Sequence, residues 1–199
     1  MKRLLWSLML LAALNAQAQE RKWEHRFSLG AGITAEREDG STDNGLALRA
    51  GYALAYNLSE QWSLMAGLAI RDVSENTFGD AMDGADDDHF TFLDLPLVAR
   101  YHVGQGKGSW ALGLGPVLSY CIGNDTYYID ADPQSPLNHL DKSKRFVLGL
   151  QPAVTYRLSR HWELGVEANI GLTNIKDGHG LTSGSKHIHH VMATIGVVF

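Results

Sequence analysis

A single cysteine, Cys121, in 199 residues leaves no partner for an intramolecular disulfide, even in an exported compartment that would permit one. After the first eighteen residues no segment offers the ~20 consecutive apolar side chains that a spanning helix needs. Positive charge is scarce as well: 17 Lys and Arg stand against 22 Asp and Glu. Without Lys2 and Arg3 the balance is 15 to 22, which argues against a nucleic-acid partner.

What is present begins with an export signal. Lys2-Arg3 form a basic start, Leu4–Leu14 an apolar stretch, and Ala16-Gln17-Ala18 an A-x-A cleavage site. Residues 1–18 are therefore expected to be a signal peptide cut near Ala18/Gln19, with 19–199 as one domain. No lipidation cysteine follows.

The domain is written in period two. Phe146, Leu148, Leu150, Pro152, Val154, Tyr156 and Leu158 alternate with Val147, Gly149, Gln151, Ala153, Thr155 and Arg157. After Ser159-Arg160-His161, the residues Trp162, Leu164, Val166, Ala168, Ile170 and Leu172 alternate with Glu163, Gly165, Glu167, Asn169 and Gly171. These are two strands of an antiparallel hairpin, each with one apolar face. Their second face holds charges and glycines, which suits neither a sandwich core nor a helix stripe. The same pattern predicts strands over 23–36, 45–58, 62–73, 89–103, 109–122 and 189–199. Eight strands with short turns at one end and mostly longer polar connections at the other make an all-β, eight-stranded, antiparallel up-and-down transmembrane β-barrel.

Two sets of residues support that fold class. At the short-turn end of the strands stand Trp23, Tyr56, Trp62, Tyr101, Trp110, Tyr156, Trp162 and Phe199, one per strand and all on the apolar face. Indole and phenol rings favour the membrane interface, because each joins an apolar body to a polar tip. On the other face Arg26, Arg49, Arg71, Arg100 and Arg157 oppose Glu24, Glu36, Asp94, Glu163 and Glu167. An eight-stranded lumen is just wide enough for side chains to fill, so these charges are expected to pair and plug it. Pro96, Pro116 and Pro152 sit mid-strand, where a closed barrel has no edge; local bulges are the expected accommodation.

The Leu93-Asp94-Leu95-Pro96-Leu97 run ending in Arg100-Tyr101 resembles the PorT-like outer-membrane β-barrel family of Bacteroidetes. So do Gly113-Leu114-Gly115-Pro116, Gln151-Pro152 and Gly171-Leu172-Thr173-Asn174-Ile175. The resemblance spans the mature chain and implies a small outer-membrane barrel without catalytic residues to carry over. The terminal Phe199 is similar to the closing aromatic of substrates of the barrel-assembly machinery, which implies that machinery as a partner during biogenesis.

Candidate chemistry is thin. Asp80, Asp83, Asp86, Asp87 and Asp88 lack the ordered spacing and closing Glu of an EF-hand, so a solvated acidic loop is expected. His179, His187, His189 and His190 are irregularly spaced for Zn²⁺ or Cu²⁺, and Cys121 has no evident activating partner. Ser183 or Ser185 beside His187 or His189 is the only nucleophile–base candidate for a lipid-modifying enzyme, and no acid partner or motif fixes it. Tyr127 and Tyr128, in the stretch Gly123–Arg145, are the candidate external binding surface. The expectation is a monomeric, non-enzymatic barrel in the outer membrane, without metal or cofactor. Its partners are outer-membrane lipid and a surface ligand that the sequence does not identify. A narrow channel is the alternative, a lipid-modifying enzyme the less favoured one. A soluble lipocalin-like barrel, the runner-up fold, would need an apolar interior.

Overall fold

The computed structural model describes residues 22–38, 41–74, 88–104, 106–126, 146–174 and 186–199. Eight strands form one closed wall in chain order: β1 (Trp23–Glu38), β2 (Ser41–Asn57), β3 (Trp62–Ser74), β4 (Asp88–Val103), β5 (Trp110–Thr126), β6 (Phe146–Arg157), β7 (Trp162–Gly171) and β8 (Lys186–Val198). Every neighbouring pair is antiparallel, and β1 pairs with β8 to shut the barrel. The expected leader, residues 1–18, lies outside the described residues.

The register can be followed once around the wall. From Tyr156 it passes through Leu164, Ile195, Leu29, Ala50, Ile70, Leu93 and Tyr120, and returns to β6 at Phe146, ten residues from its start. With an ordinary rise per residue and strand spacing, that stagger tilts the strands by about 40°. It also sets the heights of residues on different strands. The eight aromatics of the terminal end fall within one layer about 6 Å deep.

Parity decides what faces where. Leu29 is 62% exposed, Leu148 40%, Leu164 44% and Ile195 44%, whereas Arg26, Asp94 and Glu167 are 4%, 2% and 9% exposed. The oily residues therefore lie on the outside and the ionic ones within, the order that lipid imposes on a closed β wall.

Four expectations are corrected. The polar segment 37–44 is not wholly a loop: β1 runs to Glu38, β2 starts at Ser41, and their ladder continues to Glu38↔Ser41. A ladder needs only backbone partners, so a polar hairpin can rise beyond the apolar band without betraying itself by hydropathy. For the same reason β5 reaches Thr126 and β8 begins at Lys186, so His187 lies in a strand.

The prolines do not shift the register. Pairing lapses opposite Pro96 between Ala66↔Leu97 and Ala69↔Asp94. It lapses opposite Pro116 between Pro96↔Val117 and Ala99↔Leu114, and at Pro152 between Leu150↔Ile170 and Ala153↔Glu167. The register is the same on both sides of each gap. A missing N–H deletes a donor but calls for no extra residue, and the intact ladder on either side holds alignment. The register shift in these ladders lies elsewhere, between Thr91↔Gly123 and Phe92↔Cys121, where Ile122 is the added residue.

Finally, the interior is not polar throughout. Ala47, Val73, Phe90, Phe92, Val147, Ile188 and Met192 form a buried apolar cluster towards the loop end, with Cys121 packed against it.

Glycine is required at the closing seam, as it is at Gly115, where a Cβ would sit 1.9 Å from the Leu97 carbonyl oxygen. A Cβ on Gly32 would sit 1.9 Å from the Val191 carbonyl oxygen, a backbone atom of β8, so β1 and β8 approach too closely there for any side chain. At Gly30 the nearest atoms would be the Thr194 and Met192 side chains at 3.2 and 3.3 Å, which can yield. Gly32→Val should cost at least the ~1–3 kcal/mol typical of overpacking and reduce the heat-modifiable folded band on a gel. Gly30→Ala should retain that band; equal folding of both variants would show that the seam is not tight at Gly32.

Candidate functional site

The lumen collects most of the polar chemistry of the wall, and it is arranged in layers. Alternation points residues 24 and 26 of β1, 100 of β4, 157 of β6 and 163 of β7 inward near the terminal end. There Arg26 Nη2 donates to Glu24 Oε2 at 2.7 Å, and Arg26 Nη1 donates to both Glu163 oxygens. Arg157 Nη2 reaches Glu24 Oε2 at 3.0 Å. Arg100 Nη2 donates to Thr155 Oγ1 and stands 3.7 Å from Glu163 Oε2.

The middle layer pairs charges one to one. Arg71 donates through Nε and Nη2 to the two oxygens of Asp94, at 2.7 and 3.0 Å, and through Nη2 to Ser119 Oγ at 3.2 Å. Its guanidinium also lies 4.4 Å from the Phe92 ring centroid, so the charged and apolar layers are joined by a cation–π contact. Arg49 Nη1 donates to Glu167 Oε1 at 2.5 Å, and Gln151 Nε2 to Glu167 Oε2 at 2.8 Å. Of the ten charged residues read as facing inward, nine are thus drawn into pairs. The side chain of Glu36 lies outside the described set.

The alternation places Gln151, Thr155 and Ser119 on the inner face, but sequence reading missed them as hydrogen-bond partners of the charges, and missed Phe90 and Phe92 as lumen residues. Phe90 and Phe92 share the parity of Asp94 on β4, so the signal was present in the alternation. Attention to charge alone hid it.

On the outer wall, three pairs of the terminal-end aromatics meet across ladders. Trp23–Tyr56, Trp62–Tyr101 and Trp110–Tyr156 have centroids 4.6, 5.1 and 4.8 Å apart. Each pair bridges two strands that no turn joins at that end, so ring contact clamps the open end of the ladder. Phe199 meets Phe27 edge-on at 6.3 Å, and Trp162 stands across from Val197. Two polar groups on this outer face are also tied down: His25 Nδ1 lies 2.7 Å from Tyr52 Oη, and His89 Nε2 2.7 Å from Asp72 Oδ1.

The other candidates do not assemble. Tyr127, Tyr128, Ser183 and Ser185 lie outside the described residues, as do Asp80, Asp83, Asp86, Asp87, His179 and the side chain of Asp88. His187 and His189 stack with centroids 6.3 Å apart, whereas His190 points the other way, into the lumen, and is buried. Among the described residues no group of three or more His, Cys, Asp or Glu could hold a metal ion.

A family model described as the outer membrane protein β-barrel domain matches residues 6–199. The chain belongs to that family. Among solved structures, this outer-membrane barrel is similar to Neisserial surface protein A, NspA, at 12% identity, covering 87% of this chain and 96% of that one with a TM-score of 0.53. It is also similar to the outer membrane enzyme PagL, at 12% identity, covering 86% and 98% with a TM-score of 0.51. At such identity the likeness is one of fold. No curated protein matches the sequence.

Removing one member of a buried ion pair strands the other, at a cost of about 3–5 kcal/mol, while replacing both with apolar residues can be neutral. Arg71→Met should therefore destabilise the barrel more than the double variant Arg71→Met/Asp94→Leu does. Urea titration in lipid vesicles measures both; simple additivity of the two single changes would show that the pair is uncoupled.

Proposed function

We propose that this barrel is a non-conducting outer-membrane protein whose lumen is plugged and whose binding is done by the loops at its loop end. The observation that supports this most is the filling of the cross-section at successive heights. Two one-to-one ion pairs, a guanidinium network and an apolar layer occupy the interior of an eight-stranded wall, which has room for side chains and little else. A pore would need to break these contacts and move the side chains that fill the cross-section.

In this reading the terminal end faces the periplasm, because short turns and both termini belong on that side of such barrels. The eight aromatics then form the inner-leaflet interface belt, and the Tyr120–Phe146 contact at 4.8 Å belongs to the outer one. Export by the 1–18 leader, insertion by the barrel-assembly machinery and a monomeric state complete the proposal. Within the family, the Leu93–Leu97 run and the Gly-Pro and Gln-Pro motifs favour the PorT-like branch of Bacteroidetes. The stretch carrying Tyr127 and Tyr128 is the proposed contact surface. For a lipid-modifying enzyme, the described residues offer the outward, stacked His187 and His189, while Ser183 and Ser185 lie outside the described residues.

Planar-bilayer recording discriminates between plug and pore. The native protein should give no stable openings. Regular conductance steps from the native protein would overturn the plugged reading.

A further inference from the structure

Charge does not balance evenly along the lumen. In the middle layer each guanidinium has its own carboxylate, Arg71 with Asp94 and Arg49 with Glu167. In the terminal-end layer three guanidiniums, Arg26, Arg100 and Arg157, share two carboxylates, Glu24 and Glu163. The shortfall falls on Arg100. Arg26 donates to both oxygens of Glu163, whereas Arg100 donates to a hydroxyl and stands 3.7 Å from the nearer carboxylate oxygen, beyond hydrogen-bond reach. Arg26 adds a second deficit, since its Nε is buried without a partner. A buried positive charge whose one ion-pair contact is long and shared is costly.

This layer opens onto a polar recess at the terminal-end mouth. The recess, of about 450 Å³, is lined by Lys22, Glu24, Glu60, His102, Ser109 and Arg157 among others. Arg157 is the most accessible of the three guanidiniums, with its side chain 20% exposed against 5% for Arg26 and for Arg100. Of the two acids in the lining, Glu24 is consumed by Arg26 and Arg157, and Glu60 sits exposed in the turn after β2. Lys22, just before β1, is also exposed and adds a positive group at the mouth.

We infer that this recess is a binding site for a small oxyanion, a carboxylate or phosphate group entering from the terminal-end side. Arg157 donates to the anion directly, Lys22 and Ser109 supply further donors, and Arg100 and Arg26 behind them hold the field positive. The bound charge restores the balance that two carboxylates leave incomplete. The site takes a free anion, or an anionic group carried on a larger periplasmic molecule, by the same chemistry.

The experiment is a titration of the folded full barrel in a zwitterionic detergent at fixed ionic strength, with chloride as the balancing ion. Inorganic phosphate and acetate are the two probes, read by phosphorus-31 or carbon-13 line broadening and by the melting temperature. Saturable binding of at least one probe is expected, weakened tenfold or more in Arg157→Gln. Glu24→Gln removes a competing carboxylate and frees Arg157, so it should tighten binding; this variant keeps the test decisive if Arg157→Gln folds poorly. A short anionic peptide bearing the same carboxylate density, bound no better than acetate, would identify the free anion as the ligand, and tighter binding would identify the carried one. Absence of saturation in both native and Glu24→Gln barrels, or binding unaffected by Arg157→Gln, overturns the proposal.

Discussion

Inside lipid no water is available to take up a backbone N–H or C=O, and each one left unpaired costs several kcal/mol. That constraint governs this molecule. A sheet meets it only by closing, and closure here is the β1–β8 seam, held along thirteen register positions from Arg26↔Val198 to Glu38↔Lys186. The glycine at position 32 is where that seam is tightest. Closure also explains why three mid-strand prolines are tolerable. Each leaves a short gap in one ladder, while the other ladder of the same strand keeps its pairing through the proline, as Pro96↔Val117, Pro116↔Leu150 and Leu114↔Pro152 show.

The interior follows from the wall. Eight strands with a ten-residue stagger enclose a space that side chains must fill, and it is filled in a graded way. Long arginines reach across the terminal-end and middle levels to carboxylates on distant strands, Arg26 to Glu163 and Arg49 to Glu167. Glycine and alanine on the inner face leave them room. Towards the loop end Phe90, Phe92 and Ile188 take over the filling. Stability comes chiefly from the outer apolar surface meeting lipid and from the ladders that close the wall. The ion pairs contribute less net free energy than their number suggests, because each begins with a desolvation cost.

Much of this was legible in the chain. Strict alternation from Phe146 to Leu172 gave strands, a hairpin and the assignment of faces, and the same parity placed five arginines and their carboxylates inside. The aromatic set marked one end of every strand. What escaped notice has physical reasons. The β1–β2 hairpin continues through polar residues because backbone pairing is indifferent to side-chain hydropathy above the apolar band. Phe90 and Phe92 looked like ordinary strand residues, since an inward aromatic and an outward one read alike until the parity of Asp94 is extended to them. The prolines argued for bulges because the sequence shows a missing donor and not the neighbouring ladders that hold alignment. The Leu93–Leu97 motif now has a structural meaning: Asp94 anchors Arg71, and Pro96 is buried at a gap in the β3–β4 ladder.

The central claim is the inversion of faces, and β7 is short enough to test it residue by residue. In a Cys121→Ser background, a nitroxide placed in turn at each position from 163 to 170 in lipid vesicles reports collision with oxygen, which concentrates in lipid, and with a water-soluble nickel chelate. The account predicts an oxygen signal that oscillates with period two, highest at Leu164, Val166, Ala168 and Ile170 and low for both reagents at the lumen-facing positions between them. A flat profile, or nickel collisions that dominate at the even-numbered positions, would contradict it.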